Sequence, residues 1–109
     1  MSRVYKILPR PEWTEAKARG AYGGAVIDRA DGFIHLSAAD QVAETLRLHF
    51  AGQADLVVVG FDADALGPEL KWEASRGGAL FPHLYGPLPV ALAVSEDPAA
   101  AFGQGGGPA

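Results

Sequence analysis

The residues best suited to chemistry are concentrated in one segment, from Ser75 to Pro87. Arg76, His83 and Tyr85 place a guanidinium, an imidazole and a phenol there, among two adjacent glycines and two prolines. Proline fixes φ and removes a backbone donor, while glycine lets a ligand approach the backbone closely. Polar side chains on a stiffened, irregular segment are typical of a binding or catalytic site. The alternative is a turn in which His83 and Tyr85 only satisfy each other's hydrogen bonds.

Glu73 stands just before this segment, in the alternating stretch Leu70–Ala74 that predicts a half-buried strand. The alternation places Leu70, Trp72 and Ala74 inward and Glu73 on the opposite face. A strand carboxylate beside a cleft can hold a ribose hydroxyl, stabilise an oxocarbenium-like centre or act as a general base. The alternative is an exposed carboxylate that pairs with a neighbouring base, which contributes little to stability.

His35 and Ser37 lie at the end of a predicted strand, Phe33–Leu36, and at the beginning of the clearest predicted helix. Strand alternation puts His35 on the same face as Phe33. Ser37 stands at the N-cap of a helix that we expect to run to about Phe50, and the free N–H groups at a helix start favour a phosphate or a carboxylate. A histidine flanked by apolar residues is also consistent with a core histidine that bonds a neighbour.

Metal and thiol chemistry find little support in the sequence. His35, Glu73 and His83 are of the types that bind metals, but no close histidine spacing such as H-x-x-x-H accompanies them. The chain has no cysteine, which excludes disulfides and thiol chemistry. It also lacks the glycine motifs of Rossmann and P-loop proteins and the G-x-S-x-G motif of α/β-hydrolases. We therefore expect no metal site.

The order of the predicted elements favours an α+β domain. Two helices are expected in the N-terminal half, from Pro11 to Gly20 and from Ser37 to about Phe50, followed by one helical turn at 62–68. Two early helices followed mainly by strands favour a mainly antiparallel sheet over alternating βαβ units. The stretches that predict strands are 3–8, 33–36, 55–61, 70–74 and 89–94, with a weaker one at 25–27.

Size and composition are those of one ordinary globular domain. The chain has 109 residues, 49% of them hydrophobic and 20% charged, and a net charge of −4. The acidic balance argues against an extended nucleic-acid surface. Neither an apolar run of the roughly 20 residues that span a bilayer nor a signal-peptide pattern is present, so we expect no membrane association and a cytoplasmic location. We predict a single domain over 1–96 and a flexible Ala/Gly/Pro-rich tail over 97–109.

Four stretches of the chain resemble a family of small bacterial and plant proteins known as domain of unknown function 952. Its most specific blocks are FIHLS and LFPHLYG, and the stretches are Val4–Ile7, Asp31–Ser37, Leu70–Glu73 and Arg76–Gly86. That family is grouped by fold with the ADP-ribosyltransferases, whose split antiparallel sheets hold NAD in a cleft. The resemblance implies that fold for this chain, and it implies NAD as the ligand or cofactor to consider first.

The same resemblance implies roles for individual residues. In ADP-ribosyltransferases, side chains on an early strand, a second strand and a late strand grip the nicotinamide riboside. Here the early position falls near Tyr5 and Lys6, the second strand is similar to Ile34–Ser37, and Glu73 is the candidate for the late carboxylate.

Two kinds of function remain open. The first is a polar cleft that binds a small anionic or nucleotide-like ligand, with or without ADP-ribosyl- or phosphotransferase chemistry. The second is a non-catalytic protein-interaction domain that uses Phe81–Pro87, which requires exposed apolar side chains there. For the cleft, the candidate catalytic residues are His35, Glu73 and His83, and the candidate ligand-binding residues are Tyr5, Ser37, Arg76 and Tyr85.

Overall fold

The structure, a computed structural model, describes residues 2–102 apart from the side chain of Arg76. Its strands are β1 (Arg3–Pro9), β2 (Ala21–Tyr22), β3 (Ile34–His35), β4 (Ser37–Ala38), β5 (Leu56–Asp62), β6 (Leu70–Ser75), β7 (Ala79–Leu84), β8 (Leu88–Pro89) and β9 (Ala93–Pro98). Its α-helices are α1 (Arg10–Arg19), α2 (Val26–Asp31), α3 (Val42–His49) and α4 (Ala63–Leu66). Short 3-10 turns cover Ala39–Gln41, Gly67–Glu69, Arg76–Gly78, Val90–Leu92 and Ala99–Phe102.

The strands form antiparallel sheets, as the order of elements predicts. One sheet has four strands in the order β4-β1-β5-β9, a second has three in the order β3-β7-β6, and β2 pairs with β8. Every strand pair in these sheets is antiparallel. The fold is therefore a mixed α and β structure with antiparallel sheets, which confirms the α+β prediction at that level.

Strand β5 lies inside the four-stranded sheet and carries the core on both of its faces. It is a nearly continuous apolar run, and its residues from Leu56 to Phe61 are buried, which is typical of a strand covered on both sides. Val57, Val59 and Phe61 pack in one cluster with residues of α1, whereas Val58 packs with residues of α3 in a second cluster. The sheet therefore separates the side of α1 from the side of α3.

The chain passes from the three-stranded to the four-stranded sheet between His35 and Ser37. Leu36, at the crossing, is buried, and its N–H donates to the carbonyl of Pro82 at 3.0 Å. Because side chains alternate along extended backbone, Phe33 and His35 point to the face opposite that of Ile34 and Leu36. The buried Ile34 and Leu36 anchor the crossing. This short crossing holds the two sheets at a fixed distance, and the candidate site lies beside it.

Several sequence predictions about local structure are wrong. The segment from Ser75 to Pro87, interpreted as irregular, contains β7, the middle strand of its sheet, with Pro82 inside it. Residues 89–94 are not one strand, because a 3-10 turn separates β8 from β9. Residues 25–27 do not form a strand, because α2 begins at Val26, where the carboxylate of Asp28 accepts from the N–H of Ala25 at 2.7 Å. The N-terminal half therefore holds three α-helices rather than two. Ser37 is not an N-cap, because it lies in β4 opposite Tyr5 and its hydroxyl bonds Thr45. Trp72 points to solvent rather than inward.

The boundary of the predicted tail also needs correction. Strand β9 extends to Pro98, and the 3-10 turn after it buries Ala99 against the core on the side of α3. Phe102 packs edge-on against the ring of Tyr5 at 5.7 Å between ring centroids. Residues 97–102 are thus part of the fold, and the remainder of the predicted tail, 103–109, lies outside the described residues.

Candidate functional site

A cleft of about 700 Å³ lies between the two larger sheets. It is bordered by β1 and β4 on one side and by β3, β6 and β7 on the other. Five consecutive residues, Tyr5–Pro9, line it, which requires that the edge of β1 rather than one of its faces borders the cleft. That edge is open because β4 pairs only with Val4 and Tyr5, whereas β5 pairs with the other edge along Arg3–Pro9.

Glu73, His83 and Tyr85 form a hydrogen-bonded group on one face of the three-stranded sheet. Nδ1 of His83 lies 2.8 Å from Oε1 of Glu73, and the hydroxyl of Tyr85 donates to the same oxygen at 2.7 Å. The pairing of β6 with β7 explains this contact, since Glu73 lies opposite Phe81, two residues from His83 and on the same face. His83 is only 5% exposed and lines the cleft.

The hydrogen bonds fix the protonation of this group. The hydrogen bonds from Tyr85 and His83 hold the pKa of Glu73 below its usual range, and the same contact raises the pKa of the Tyr85 phenol. Glu73 is therefore a carboxylate near neutral pH and can only accept, so Nδ1 of His83 must donate. In the neutral ring this leaves Nε2 with a lone pair, which is the state of a general base.

Phe33 organises the aromatic rings around this group. Its ring stacks on His83 with 4.1 Å between centroids and an interplanar angle of 25°. It also contacts the rings of His35 and Tyr85, at centroid distances of 4.6 Å and 5.3 Å. The two imidazoles are 5.6 Å apart. Stacking of this kind restricts rotation of the rings, so Phe33 helps to hold both histidines in place.

Buried charges surround His35. Asp28 is only 2% exposed, and its Oδ2 accepts from Nζ of Lys6 at 2.9 Å. Its Oδ1 accepts from the backbone N–H of His35 at 3.0 Å and lies 2.6 Å from the ring Nδ1. The other ring nitrogen of His35 is 2.9 Å from Oδ2 of Asp31. Since carboxylate oxygens only accept, both contacts are hydrogen bonds when both ring nitrogens of His35 carry a hydrogen.

Burial and pairing act against each other in this cluster. Burial by itself raises the pKa of Asp28, but the charge of Lys6 and the hydrogen bonds from Ala25, His35 and Lys6 outweigh it and leave the pKa lowered. The hydroxyl of Tyr22 lies nearby and donates to Glu12 at 3.4 Å. Burial, together with the two carboxylates, raises the pKa of this phenol. Near neutral pH Asp28 is thus ionised and the phenol of Tyr22 keeps its proton, while burial lowers the pKa of Lys6.

The opposite wall of the cleft, on the side of α3, has a different chemistry. Ser37 and Thr45 share a hydrogen bond of 3.2 Å between their hydroxyls. His49 lies one helical turn after Thr45, and both line the cleft together with Ser37. These three described side chains carry no negative charge. The cleft therefore has an acidic side at Asp28 and a neutral side, rich in hydroxyl and imidazole groups, on α3.

The structure brings four of the seven sequence-predicted residues into one cluster. His35, Glu73, His83 and Tyr85 meet around Phe33, and Ser37 lies on the α3 wall of the same cleft. Their role as a site stays a prediction. The described residues do not include the side chain of Arg76, and the ring of Tyr5 borders the cleft but packs against Phe102.

Sequence reasoning missed several side chains of the cleft. The candidate at the early strand position was Tyr5 rather than its neighbour Lys6, and β-strand alternation puts the two on opposite faces. Asp28 and Asp31 were missed because 25–27 was interpreted as a strand. A signal was available, since an acid three residues after a possible helix start, followed by Gly32, predicts a short capped helix. The other missed residues are Phe33, Tyr22 and Glu12.

The interaction surface proposed for Phe81–Pro87 is not formed as expected. Phe81 and Leu84 are buried, so the segment does not present the apolar side chains that a partner surface there requires. Within residues 2–102, no group of three or more His, Cys, Asp or Glu side chains is arranged to hold a metal ion. No helix in the same range is long and apolar enough to cross a membrane.

Comparison with known proteins places the chain in a family. The X-ray crystal structure of protein CC0527 from Caulobacter crescentus is 55% identical, with 88% of this chain and 84% of that chain covered and a TM-score of 0.85. The solution NMR structure of CC0527 is also 55% identical, with 88% and 83% covered and a TM-score of 0.79. A search of curated proteins gave no match. The family model described as "Protein of unknown function (DUF952)" matches residues 7–96, and the chain therefore belongs to the DUF952 family.

Proposed function

We propose that the cleft binds a nucleotide-like ligand and that the chain transfers or hydrolyses an ADP-ribosyl group, with His83 as the base. The observation that carries the proposal is the Glu73–His83 pair at the cleft wall, with 2.8 Å between Oε1 and Nδ1. A histidine whose Nδ1 is held by a carboxylate presents Nε2 for proton transfer, an arrangement that recurs in unrelated enzymes. Glu73 is a positioning residue in this scheme.

The charges of the cleft favour ADP-ribosyl chemistry over phosphoryl transfer. Glu12 and Asp28 line the cleft, and Asp31 and Glu73 bond His35 and His83. Since these four carboxylates stand against the ammonium group of Lys6, a phosphate placed among them would be repelled. Sugar hydroxyls can instead donate to carboxylates, and the positive ring of nicotinamide gains from nearby negative charge. We therefore infer that a ribose with its cationic nicotinamide lies at this acidic side.

The phosphates of such a ligand fit the α3 wall better. Ser37, Thr45 and His49 offer hydroxyl and imidazole groups there without an acid among them. Hydroxyls donate readily to phosphate oxygens, and a protonated imidazole adds positive charge. This placement keeps the anionic part of the ligand away from Asp28. It supports the earlier expectation of an anionic ligand, although not the expectation of a phosphate site at a helix start after Ser37.

The reaction can be written with the chain's own residues. The bond between C1′ of the ribose and the nicotinamide nitrogen breaks, and its electron pair leaves on the nicotinamide, which becomes neutral. A hydroxyl oxygen of water or of a second substrate bonds to C1′ while its proton moves to Nε2 of His83. Nearby carboxylates stabilise the positive charge that develops on the sugar. Glu73 stabilises the protonated His83 that results.

The resemblance to the ADP-ribosyltransferases supports the same proposal. In that fold a ligand cleft separates two antiparallel sheets, as the cleft of this chain does. The early strand position, expected near Tyr5 and Lys6, fits Lys6 better, since Lys6 is the side chain that reaches the His35 cluster. Its ammonium group bonds the carbonyl of His35 at 3.1 Å and so helps to fix the backbone there.

The test measures nicotinamide release from NAD by the wild type and by the Glu73→Gln and His83→Asn variants. General-base catalysis contributes about 100-fold to 10,000-fold, so we expect each variant to lose at least about 100-fold in kcat. Glu15→Gln is the matched control, because Glu15 pairs with Arg19 on exposed α1 and does not border the cleft. It should keep the wild-type rate.

Binding is measured in parallel by thermal shift with NAD and ADP-ribose. A ligand present at about 100 times its Kd stabilises the folded chain by roughly 2.7 kcal/mol. Full activity in both cleft variants would contradict the role of His83. A stable complex with NAD from which nicotinamide is never released would contradict the catalytic half of the proposal and leave a binding protein. No thermal shift with either compound would contradict the ligand class.

A further inference from the structure

Two apolar side chains at the start of α2 stand exposed at the border of the cleft. Val26 is 82% exposed and Ile27 is 60% exposed, and both line the cleft. Single exposed apolar residues are ordinary; examples here are Leu48 at 47% and Val94 at 50%, neither of which lines the cleft. Val26 and Ile27 differ because they are adjacent and because both border the same cavity. We call them the apolar lip.

The apolar lip is held next to the acidic side of the cleft. Asp28 follows Ile27 directly, and its side chain bonds Ala25, Lys6 and His35. These bonds attach both ends of the first turn of α2 to β1 and β3. The bonds of Asp28 therefore fix the position of the lip relative to Lys6 and His35. The side chains of the lip do not need to be buried to hold that position.

We propose that the apolar lip binds the aromatic ring that is attached to the ribose of the ligand. This inference rests on the proposed function, since it assumes a nucleoside in the cleft. A nucleoside has a flat aromatic ring, with two apolar faces, bonded directly to a hydroxyl-rich sugar. In this chain the exposed Val26 and Ile27 are followed directly by the buried carboxylate of Asp28. Successive Cα atoms are about 3.8 Å apart, so apolar and acidic groups lie side by side, as the ring and the sugar do in a nucleoside. Covering the lip with a ring removes apolar surface from water, which favours binding.

The experiment compares ligands with and without the ring. Calorimetry gives the Kd of adenosine, nicotinamide riboside and ribose 5-phosphate for the wild type and for a Val26→Ser/Ile27→Ser double variant. We expect the Kd of the two nucleosides to rise about tenfold in the double variant, since roughly 1.4 kcal/mol of apolar burial is lost. The Kd of ribose 5-phosphate should not change.

Matched controls are available within the chain. Val94→Ser and Leu48→Ser make the same kind of change at exposed apolar positions away from the cleft, and both should bind like the wild type. Because Val26 and Ile27 are exposed, the double variant should also unfold at the wild-type temperature. Melting curves recorded without ligand check this point and separate a loss of binding from a loss of folding.

Several results would overturn the inference. One is a wild type that binds neither nucleoside, and another is a double variant that binds both of them normally. An equal loss of ribose 5-phosphate affinity would mean that the polar side was disturbed instead. A dimer of the wild type that the double variant loses in sedimentation would assign the lip to a second copy. Lip-dependent nucleoside binding without nicotinamide release would support the lip and contradict only the proposed catalysis.

Discussion

At the residue scale, the polar side of the cleft depends most on Asp28. Its two oxygens accept hydrogen bonds from Lys6, Ala25 and the backbone and ring of His35. The ammonium group of Lys6 is nearly as buried as the carboxylate that it contacts. A buried ion pair contributes little net stability as a whole, because both ions lose water, but removing one partner leaves the other charge unpaired.

Replacing Asp28 with asparagine should destabilise the fold strongly. An unpaired buried ammonium group costs about 3–5 kcal/mol, which is a large part of the roughly 5–15 kcal/mol that holds a typical domain together. We therefore expect the urea midpoint of Asp28→Asn to fall far below that of the wild type. Asp55→Asn is the control, since Asp55 pairs with Arg10 at the surface and such pairs contribute about 0–1 kcal/mol.

A double variant separates the charge effect from a general loss of packing. Lys6→Met combined with Asp28→Asn removes both charges, so the double variant should be more stable than Asp28→Asn alone. If Asp28→Asn has the urea midpoint of the wild type, water must reach the ammonium group of Lys6, and the Lys6–Asp28 pair is not buried in solution. If the double variant is as unstable as the single one, the cost lies in the lost hydrogen bonds to Ala25 and His35.

The sequence allowed the residues on the three-stranded sheet to be predicted better than those on α2. Glu73 stands in a stretch that predicts a strand, whereas His83 and Tyr85 were chosen for their residue types in a segment interpreted as irregular, of which Ala79–Leu84 forms β7. Asp28 follows two β-branched residues, which favour a strand when taken by themselves. Its carboxylate forms the helix start by bonding Ala25, and the sequence signal for this cap, Asp28 followed by Gly32, is weaker than the strand preference of the β-branched pair.

At the element scale, long periodic stretches were predictable and short irregular ones were not. Strands β1 and β5 and helix α3 follow from their apolar patterns, because each has enough residues for the period to show. Strands β3 and β4 have two residues each, and Leu36 between them still donates to Pro82 of β7, the strand with which β3 pairs. The open edge of β1, which borders the cleft, results from this crossing and has no signal in the sequence of β1 itself.

The entry into α2 gives a prediction at this scale. Gly24 has φ +109°, and a Cβ there would lie 2.9 Å from Cβ of Asp28. An alanine must therefore strain the backbone and push Asp28 away from Lys6 and His35. We expect Gly24→Ala to cost about 1–3 kcal/mol, measured by urea unfolding, and to lower the affinity for any ligand that contacts the acidic side.

The neighbouring glycine is a matched control for this change. A Cβ at Gly23 meets nothing within 4 Å, and its φ is not in the positive region. Gly23→Ala should therefore be neutral or stabilise the chain by about 0.4–1 kcal/mol, through lower entropy of the unfolded state. Equal destabilisation by the two alanines would mean that the whole loop is sensitive to substitution and that the contact with Asp28 is not the cause.

At the scale of the whole molecule, one ionised carboxylate of the site links the two sheets and a second links two strands of the same sheet. Asp28 bonds side chains from β1 and β3, and Glu73 ties β6 to β7 through His83. The pKa values of both carboxylates are lowered in the folded chain. The contacts between the sheets and the stability of the molecule therefore depend on the same protonation states, and this link can be measured through pH.

Acid should unfold the chain by protonating these carboxylates. Since their folded pKa values lie below those of the unfolded chain, the stability that they confer is complete above about pH 5 and is lost as pH falls through the folded values. The unfolded chain binds more protons in this window, so the urea midpoint should decrease from pH 5 to pH 3.

Glu73→Gln removes one of the two carboxylates, and the urea midpoint of this variant should decrease less than that of the wild type over the same window. Glu15→Gln controls for the loss of one acid outside the cleft. If Glu73→Gln and the wild type lose stability in parallel, the hydrogen bonds from His83 and Tyr85 to Glu73 do not persist in solution, and the basis for His83 as an oriented proton acceptor is removed.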